Sequence, residues 1–508
     1  MEKNIFRRYC LQLIISGAIL GAGSFPAAHA ATEFGTLKLS DDMQSCMTLS
    51  ENGTDIRTET CNGSAAQNWS FVRYSTNGWF FIKNQEKGDK FCLRDFAFNG
   101  FIKMDACEGE GYTSSRLWFN RNDVASSPLR SKLTKDLARE NNYLAVIDSK
   151  LSLSEDNAAN APEWIAEKGY PERKITQISG DKKALLLITH FDGYKPADTE
   201  IVSQAVFGEN QNYTSLNQFL KISSRNKLNL YGDTIDGINL GPKPDHCDTG
   251  KVRELIAEKA QEYGIDTSQY DYVFTEMTAN EKCNFVAMAG LPGNWIISNA
   301  AGHKYWMWSH EFGHNLGFHH IQALKNCPVT GNVLQINDDC TKTNQHSDDA
   351  TDTMGGGGGH LYPVNYQYLH GWLDDESVPL VKPVTAKYTL LPLFSNEKGI
   401  KGIRIPRKDG SVMVLEYRQP QEGYENWDEA HPVVNGVTVR IYTVNEDSVQ
   451  NILVDTTPQS LSEDKDTSDA QLAVDKTLFD EMSGRFITVN LVNQYLAEVT
   501  ITSSKYGI

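Results

Sequence analysis

Apolar residues are spaced in three different ways along this chain. From residue 31 to 170 they form short alternating runs, broken by turn-forming clusters such as "NGT", "STNGW", "FNGF" and "EGEGY", which predicts short strands and tight turns. From about residue 180 the spacing changes. "KALLLITHFDG" is a continuous apolar run closing in a turn, the mark of a buried strand. In "SLNQFLKISSRNKL" the residues Leu216, Phe219, Leu220 and Ser223 share one helical face, with Ser215 placed to cap it. "YDYVFTEM" predicts another strand, and "CNFVAMAGLPGNWIIS" a strand, a turn and a returning strand. Strands alternating with helices imply an α/β sheet. After Trp372 strict alternation returns in "KYTLLPL", "GIRIPR", "VMVLEYR", "VTVRIYTV", "FITVNLV" and "LAEVTITSS", as in an antiparallel sandwich. The polar stretch "SLSEDKDTSDAQ" reads as a loop.

The first thirty residues stand apart. Lys3, Arg7 and Arg8 precede the apolar run "CLQLIISGAILGAG", and Ala28-His29-Ala30 supplies a small-x-small cleavage pattern, so a secretory leader ending before Ala31 is expected. No later stretch reaches the roughly 18 apolar residues that a membrane span needs. The formal charge of −17 becomes −17 − 2 = −19 once Glu2 and the three basic residues leave. Such acidity argues against a nucleic-acid partner, which would call for a basic stripe. The reading is an exported, monomeric protein. Eight cysteines remain after the leader, an even count that suits disulfides in an exported chain. The local pairs Cys46–Cys61, Cys92–Cys107, Cys247–Cys283 and Cys327–Cys340 are the simplest of the many pairings open to them.

The front region also has a period. Cys46 to Cys92 and Cys61 to Cys107 both span 46 residues, and Trp69, Trp118 and Trp164 follow at steps of 49 and 46. Three units of this length suit a three-fold β-trefoil, each burying one tryptophan. With "CLRD" at 92–95 and Gln67-Asn68-Trp69, the stretch resembles the ricin-type trefoil lectins, a resemblance that implies glycan binding through shallow pockets. The match is partial: Thr48 and Arg94 stand where the family places an aspartate, and Arg116 and Pro162 replace its glutamine in the later units. Asp95 is the acidic candidate nearest the expected place.

The chemistry concentrates in "WMWSHEFGHNLGFHH", residues 306–320. Ser298 or Asn299 is expected to cap a helix running to Gly317. On it, Tyr305, Trp308, Phe312 and Leu316 fall on one core-facing stripe, while His310 and His314, four apart, share another face. Glu311 sits beside them, placed to hold a water. Gly317 can adopt the left-handed conformation that stops the helix and turns the chain back, bringing in His320 as a third ligand. Three neutral imidazoles suit a catalytic Zn2+ whose fourth position takes water. Glu311 would then be the base, and the chemistry that needs this set is hydrolysis of an unactivated amide. His319 and His303 lie outside the pattern.

This HExxHxxGxxH spacing is similar to that of the metzincin metalloproteases. A second family landmark, a methionine in a tight turn beneath the metal, is matched by Met354 in "TDTMGG". "ATDTMG", "YLHGW", "VLEYRQPQEGYENW" and "ILVDTTP" make the gametolysin-like and immune-inhibitor-A-like secreted proteases the closest resemblance, over roughly residues 180–500. It implies a zinc endopeptidase with a cleft whose upper sheet edge, here "FVAMAGLP", pairs with an extended protein or glycoprotein substrate. Where several metzincins carry a tyrosine two residues past the methionine, this chain has Gly356, inside the run Gly355–Gly359; Tyr362 is the nearest phenol, read as structural. Asp and Asn clusters such as "INDDC" match no known calcium loop and read as solvated faces.

The expected architecture is therefore multidomain: a leader at 1–30, a ricin-type β-trefoil at 31–170, an α/β metzincin-type zinc protease domain at 171–375, and a β-sandwich-like accessory domain at 376–508. The alternative function is a carbohydrate-binding secreted adhesin with a structural or inactive metal site. Intact Glu311 separates the two, because a structural site needs no base and closes its fourth position with a ligand. In a third arrangement the front region masks the cleft until it is cleaved.

Overall fold

The computed structural model describes residues 34–503 apart from 75–78, 97–100, 109–112, 120–125, 134–142, 155–160, 167–174, 210–213, 344–348, 357, 383, 408–410, 446, 459 and 461–466. The expected leader and residues 461–466 of the polar stretch at 460–471 lie outside the described residues.

The fold is β-rich and built from several sheets. At the front, short antiparallel strands enclose one core containing Trp69, Trp118 and Trp164. The three tryptophans are placed alike. Each indole N–H donates to a backbone carbonyl on a strand 20–25 residues earlier: Met47 at 2.8 Å, Leu93 at 2.9 Å and Leu144 at 3.0 Å. A buried indole needs such an acceptor, so the repeat in sequence becomes a repeat in hydrogen bonding. Asp95 does not face solvent. It is buried and accepts from Ser131 Oγ at 2.5 Å, so it is a structural acceptor rather than a sugar-binding side chain.

A five-stranded sheet follows. Leu228–Asn239 forms one edge; Gly180–His190 lies next to it, parallel to both it and the middle strand Tyr272–Met277; Trp295–Asn299 continues the parallel set, and Ala287–Ala289 closes the other edge antiparallel. The interior strand Gly180–His190 is apolar from Ala184 to Ile188, as expected of a strand covered on both faces. One face packs on helices Thr199–Phe207 and Leu216–Ser223, the latter capped by Ser215 Oγ accepting from Gln218 N at 3.1 Å. The other face packs on helix Thr249–Glu262.

Beyond residue 320 two further sheets share an apolar core, with Ile403, Met413, Leu415 and Val439 from one meeting Leu478, Ile487, Val499 and Ile501 from the other. The expected boundary at 375/376 is not a break in the core. Strand Gln322–Lys325, directly after His320, runs parallel to Ser448–Val454, and Val333–Ile336 runs parallel to Thr477–Asp480. Val412, Val414, Tyr442, Val449 and Leu453 belong to the same apolar cluster as Trp308 and Phe312. Alternating strands need a second layer to bury their inner face, and part of that layer is helix Val364–Leu369, which packs on Val412–Glu416.

All four cysteine pairs, 46–61, 92–107, 247–283 and 327–340, are disulfides. No helix of the described residues is long and apolar enough to cross a membrane.

Candidate metal centre

The histidine helix starts later than its sequence suggests. It spans Tyr305–Asn315, because the residues before it form a turn of their own. Ser298 Oγ accepts from Ala301 N at 3.1 Å, Ala300 has φ of 63°, and Gly302 N donates to Glu276 Oε2 at 3.0 Å. Ser298 and Asn299 therefore end a strand instead of capping the helix. A β-carbon at Gly302 would come within 2.6 Å of the Glu276 carboxylate, so only glycine fits. Glu276 is itself buried, which pushes its carboxyl up to about 7. Trp308 Nε1 then donates to Gly302 O at 2.8 Å and pins the first turn.

Trp308, Phe312 and Leu316 are buried, as the stripe predicts, while His310 and His314 project from the other side, half-buried. Between them sits Gly313. A β-carbon there would collide with the sulfur of Met354, which packs directly beneath the helix. Gly317 has φ of 93°. Its N–H donates to His314 O at 2.8 Å, and Phe318 N donates to Gly313 O at 2.9 Å. This is the paired closure of a Schellman motif, and it reverses the chain. A β-carbon on Gly317 would also strike the Asp447 carbonyl.

The reversed segment is held by a strand far along the chain. His319 N donates to Val449 O at 3.0 Å, Val449 N donates to Gly317 O at 2.8 Å, and Gln450 Nε2 donates to His320 O at 3.0 Å. His319 Nε2 meets Ser448 Oγ at 3.1 Å, away from the other imidazoles' meeting point. His303 is exposed.

The three histidines converge. His320 Nε2 lies 3.0 Å from His310 Nε2 and 3.2 Å from His314 Nε2. Their ligating atoms all fall within 4.8 Å of one another. For metal–nitrogen bonds of about 2.0–2.1 Å, a tetrahedron has edges of about 3.3–3.4 Å, close to these separations. Proton placement points the same way. His310 Nδ1 donates to Thr353 O at 2.7 Å and His314 Nδ1 donates to Phe318 O at 2.7 Å. A carbonyl only accepts, so both Nδ1 atoms carry the proton, and both Nε2 lone pairs face the common point. Two lone pairs aimed together repel unless a cation sits between them. Burial also pushes His310 below the usual imidazole range and His314 down to about 3, with the neighbouring His310 adding to the second effect. His310 and His314 are thus neutral, as ligands must be. With His320 they fit a divalent ion.

Glu311 is buried, and its Oε2 has no hydrogen-bond partner. Burial alone raises its carboxyl to about 8. A dication alongside would favour the carboxylate and draw that value down.

Five contributors escaped the sequence reading. Gly313 left a signal, since a mid-helix glycine costs about 1 kcal/mol against alanine and implies close packing. The Thr353 carbonyl and Gln450 left none. His370, wholly buried, accepts from Ile178 N through Nδ1 at 3.3 Å and thus donates from Nε2 to Leu316 O at 3.1 Å, satisfying a carbonyl at the helix end. Tyr362 turns away from the histidines, its hydroxyl donating to Ser309 O at 2.7 Å. Asn315 Nδ2 donates to Gly290 O at 3.0 Å and Trp295 O at 3.1 Å, fastening the helix to the edge of the five-stranded sheet.

No protein family and no curated protein matches this chain. Among solved structures, a mosquitocidal holotoxin shares 17% identity at a TM-score of 0.23, over 29% of this chain and 19% of its own. A GlcNAcα1-4Gal-releasing endo-β-galactosidase from Clostridium perfringens shares 13% at 0.21, over 26% and 32%. A chaperone–substrate complex shares 12% at 0.20, over 46% and 39%. The chain spans less than half the length of each, and likenesses this slight say nothing of its fold or activity.

Proposed function

We propose that the protein is a zinc-dependent endopeptidase of metzincin type, exported from the cell and acting on extracellular proteins. One observation carries the reading: three imidazoles bring their Nε2 atoms to one point, beside a buried carboxyl whose Oε2 has no hydrogen-bond partner. A structural metal site closes its coordination with a fourth protein ligand and leaves no base beside it. Among the described residues, the only group of three or more histidine, cysteine, aspartate or glutamate ligands is this trio.

His310, His314 and His320 would hold the zinc, which when bound supplies Lewis acidity toward a peptide carbonyl and makes water acidic enough to attack near neutral pH. Glu311 Oε2 takes the proton from the attacking water and returns it to the leaving amine nitrogen. Strand Ala287–Ala289 pairs on one side only, with Trp295–Asn299, and offers its other edge to an extended substrate. Asn315 couples that edge to the histidine helix, fixing the height of a bound peptide over Glu311. Four disulfides suit an oxidising, extracellular setting. The front region is read as a ricin-type β-trefoil on the strength of its three alike tryptophan placements.

The test is digestion of casein by zinc-loaded protein. Activity should vanish with a zinc chelator and in Glu311→Gln, and return on adding zinc back to the unsubstituted protein alone. Full proteolysis by Glu311→Gln would end the reading.

A further inference from the structure

Two arginines from the carboxy-terminal strands reach beneath the histidine helix. Arg440 lies in strand Gly436–Asn445, and Arg418 lies two residues past strand Val412–Glu416. Both are wholly buried. A buried guanidinium is tolerated only when its donors find acceptors. Arg440 Nε and Nη2 both donate to Asp349 Oδ2, at 3.0 and 2.8 Å, and Nη2 also donates to Thr351 Oγ1 at 2.7 Å. Its Nη1 pairs with Glu416. Arg418 donates to Thr351 O at 2.5 Å and Leu361 O at 2.8 Å, and pairs with Glu425.

Asp349 and Thr351, which these arginines grasp, belong to the segment leading into Met354. Asp349 Oδ1 accepts from Thr351 N at 2.8 Å and Thr351 Oγ1 at 2.5 Å, and Asp352 Oδ1 accepts from Met354 N at 2.9 Å. A β-carbon on Gly355 would come within 2.5 Å of Asp349 O, so the loop is wound as tightly as its backbone allows. Its working end is the Thr353 carbonyl, which accepts the Nδ1 proton of His310. The position of that carbonyl sets the rotation of the His310 ring, and the rotation sets where Nε2 points. The chain of contact runs from Glu416 through Arg440, Asp349, Thr351 and Thr353 to His310.

We propose that Arg440 is a positioning residue for the metal centre: through Asp349 and Thr351 it fixes the loop whose Thr353 carbonyl aims His310. The inference rests on the metal-centre reading above and gives the carboxy-terminal strands a part in metal affinity. The forked, planar guanidinium matters because it holds Asp349 and Thr351 in one fixed relation, which a single ammonium cannot do.

The experiment measures zinc affinity by competition with a chromophoric chelator and records the visible spectrum of the cobalt-substituted protein. Arg440→Lys keeps the charge and loses the fork. Thr351→Val removes the hydroxyl that both Arg440 and Asp349 engage. In folded Arg440→Lys, zinc affinity should fall by about 10–100-fold, the range for partners that orient metal-bound histidines, and the cobalt bands should shift. Thr351→Val should move both readouts in the same direction by less. If the variants fold with a lower melting temperature but unchanged zinc affinity and cobalt spectrum, the arginine holds the fold only and the proposal fails. If Arg440→Lys does not fold, Thr351→Val decides by the same two readouts. A failure of the metal-centre reading looks different: the unsubstituted protein would then bind no zinc, or bind it undiminished after His320→Ala, and both inferences would fall together.

Discussion

Met354 fits under the histidine helix because residue 313 has no side chain: a β-carbon on Gly313 would occupy the space of the methionine sulfur. The glycine between the two ligands and the methionine of the distant turn are two halves of one contact, which holds the helix face and the turn loop together.

Gly313→Ala tests that contact. Alanine improves helix propensity by about 1 kcal/mol, while overpacking a filled core costs about 1–3 kcal/mol. A net loss of stability in urea unfolding is expected, with weaker zinc binding as Met354 and Thr353 are pushed away. A gain in stability would show that the two residues are not in contact.

Glu311 gives the metal-free protein a pH dependence of unusual sign. Its carboxyl titrates at about 8 when folded and near 4.5 when unfolded. Between those values the folded chain keeps a proton that the unfolded chain has released, so stability falls as pH rises from 4.5 through 8. The fall should be on the order of a few kcal/mol. Denaturant unfolding of metal-free protein should show this decline above about pH 6.5, where the buried histidines no longer oppose it, and Glu311→Gln should reduce its slope by one proton. The same substitution should lower peptide hydrolysis by at least about 10²-fold.

His370 sets the acid limb. Burial holds its imidazole down to about 3, so it stays neutral while the unfolded chain takes up a proton near 6.5. Stability is then lost as pH falls from 6.5 toward 3, at about 1.4 kcal/mol per pH unit for each such group. His314 behaves in the same way. In metal-free protein His370→Gln should reduce the slope of this limb by one proton. An unchanged slope would mean that His370 is already charged in the fold.

A chain ending at residue 375 should not fold. It would lack strand Ser448–Val454, which carries the backbone partners of Gly317, His319 and His320, and the arginines under the turn loop. Limited proteolysis and tryptophan fluorescence should report an unfolded polypeptide. A stable, zinc-binding 171–375 fragment would refute this account of the core.

Much of the site was legible because its logic is local. Helical period places His310 and His314 together, and the conformational freedom of Gly317 returns His320; both facts need only neighbours in sequence. The four cysteine pairs were legible for the same reason. The start of the helix was misjudged because Ser298 and Gly302 are engaged by a local turn and by Glu276, a residue 26 positions away. Asp95 was legible as an acidic candidate but not as a buried acceptor, because nothing in "CLRD" announces Ser131, 36 residues on. The boundary at 375/376 followed a real change of apolar period, yet Val412, Val414, Tyr442 and Val449 of the later strands belong to the same core as Trp308 and Phe312. Alternation shows that one face is buried without showing against what.

His320 depends on a hydrogen bond to a residue 130 positions later. During synthesis, therefore, the imidazole trio cannot settle until residue 450 and its strand have emerged from the ribosome. A chain released early carries the signature "HEFGH" without the converged imidazoles. Wiring the third histidine to the far end of the polypeptide works as an assembly check: the trio closes only on a chain that includes the later strand.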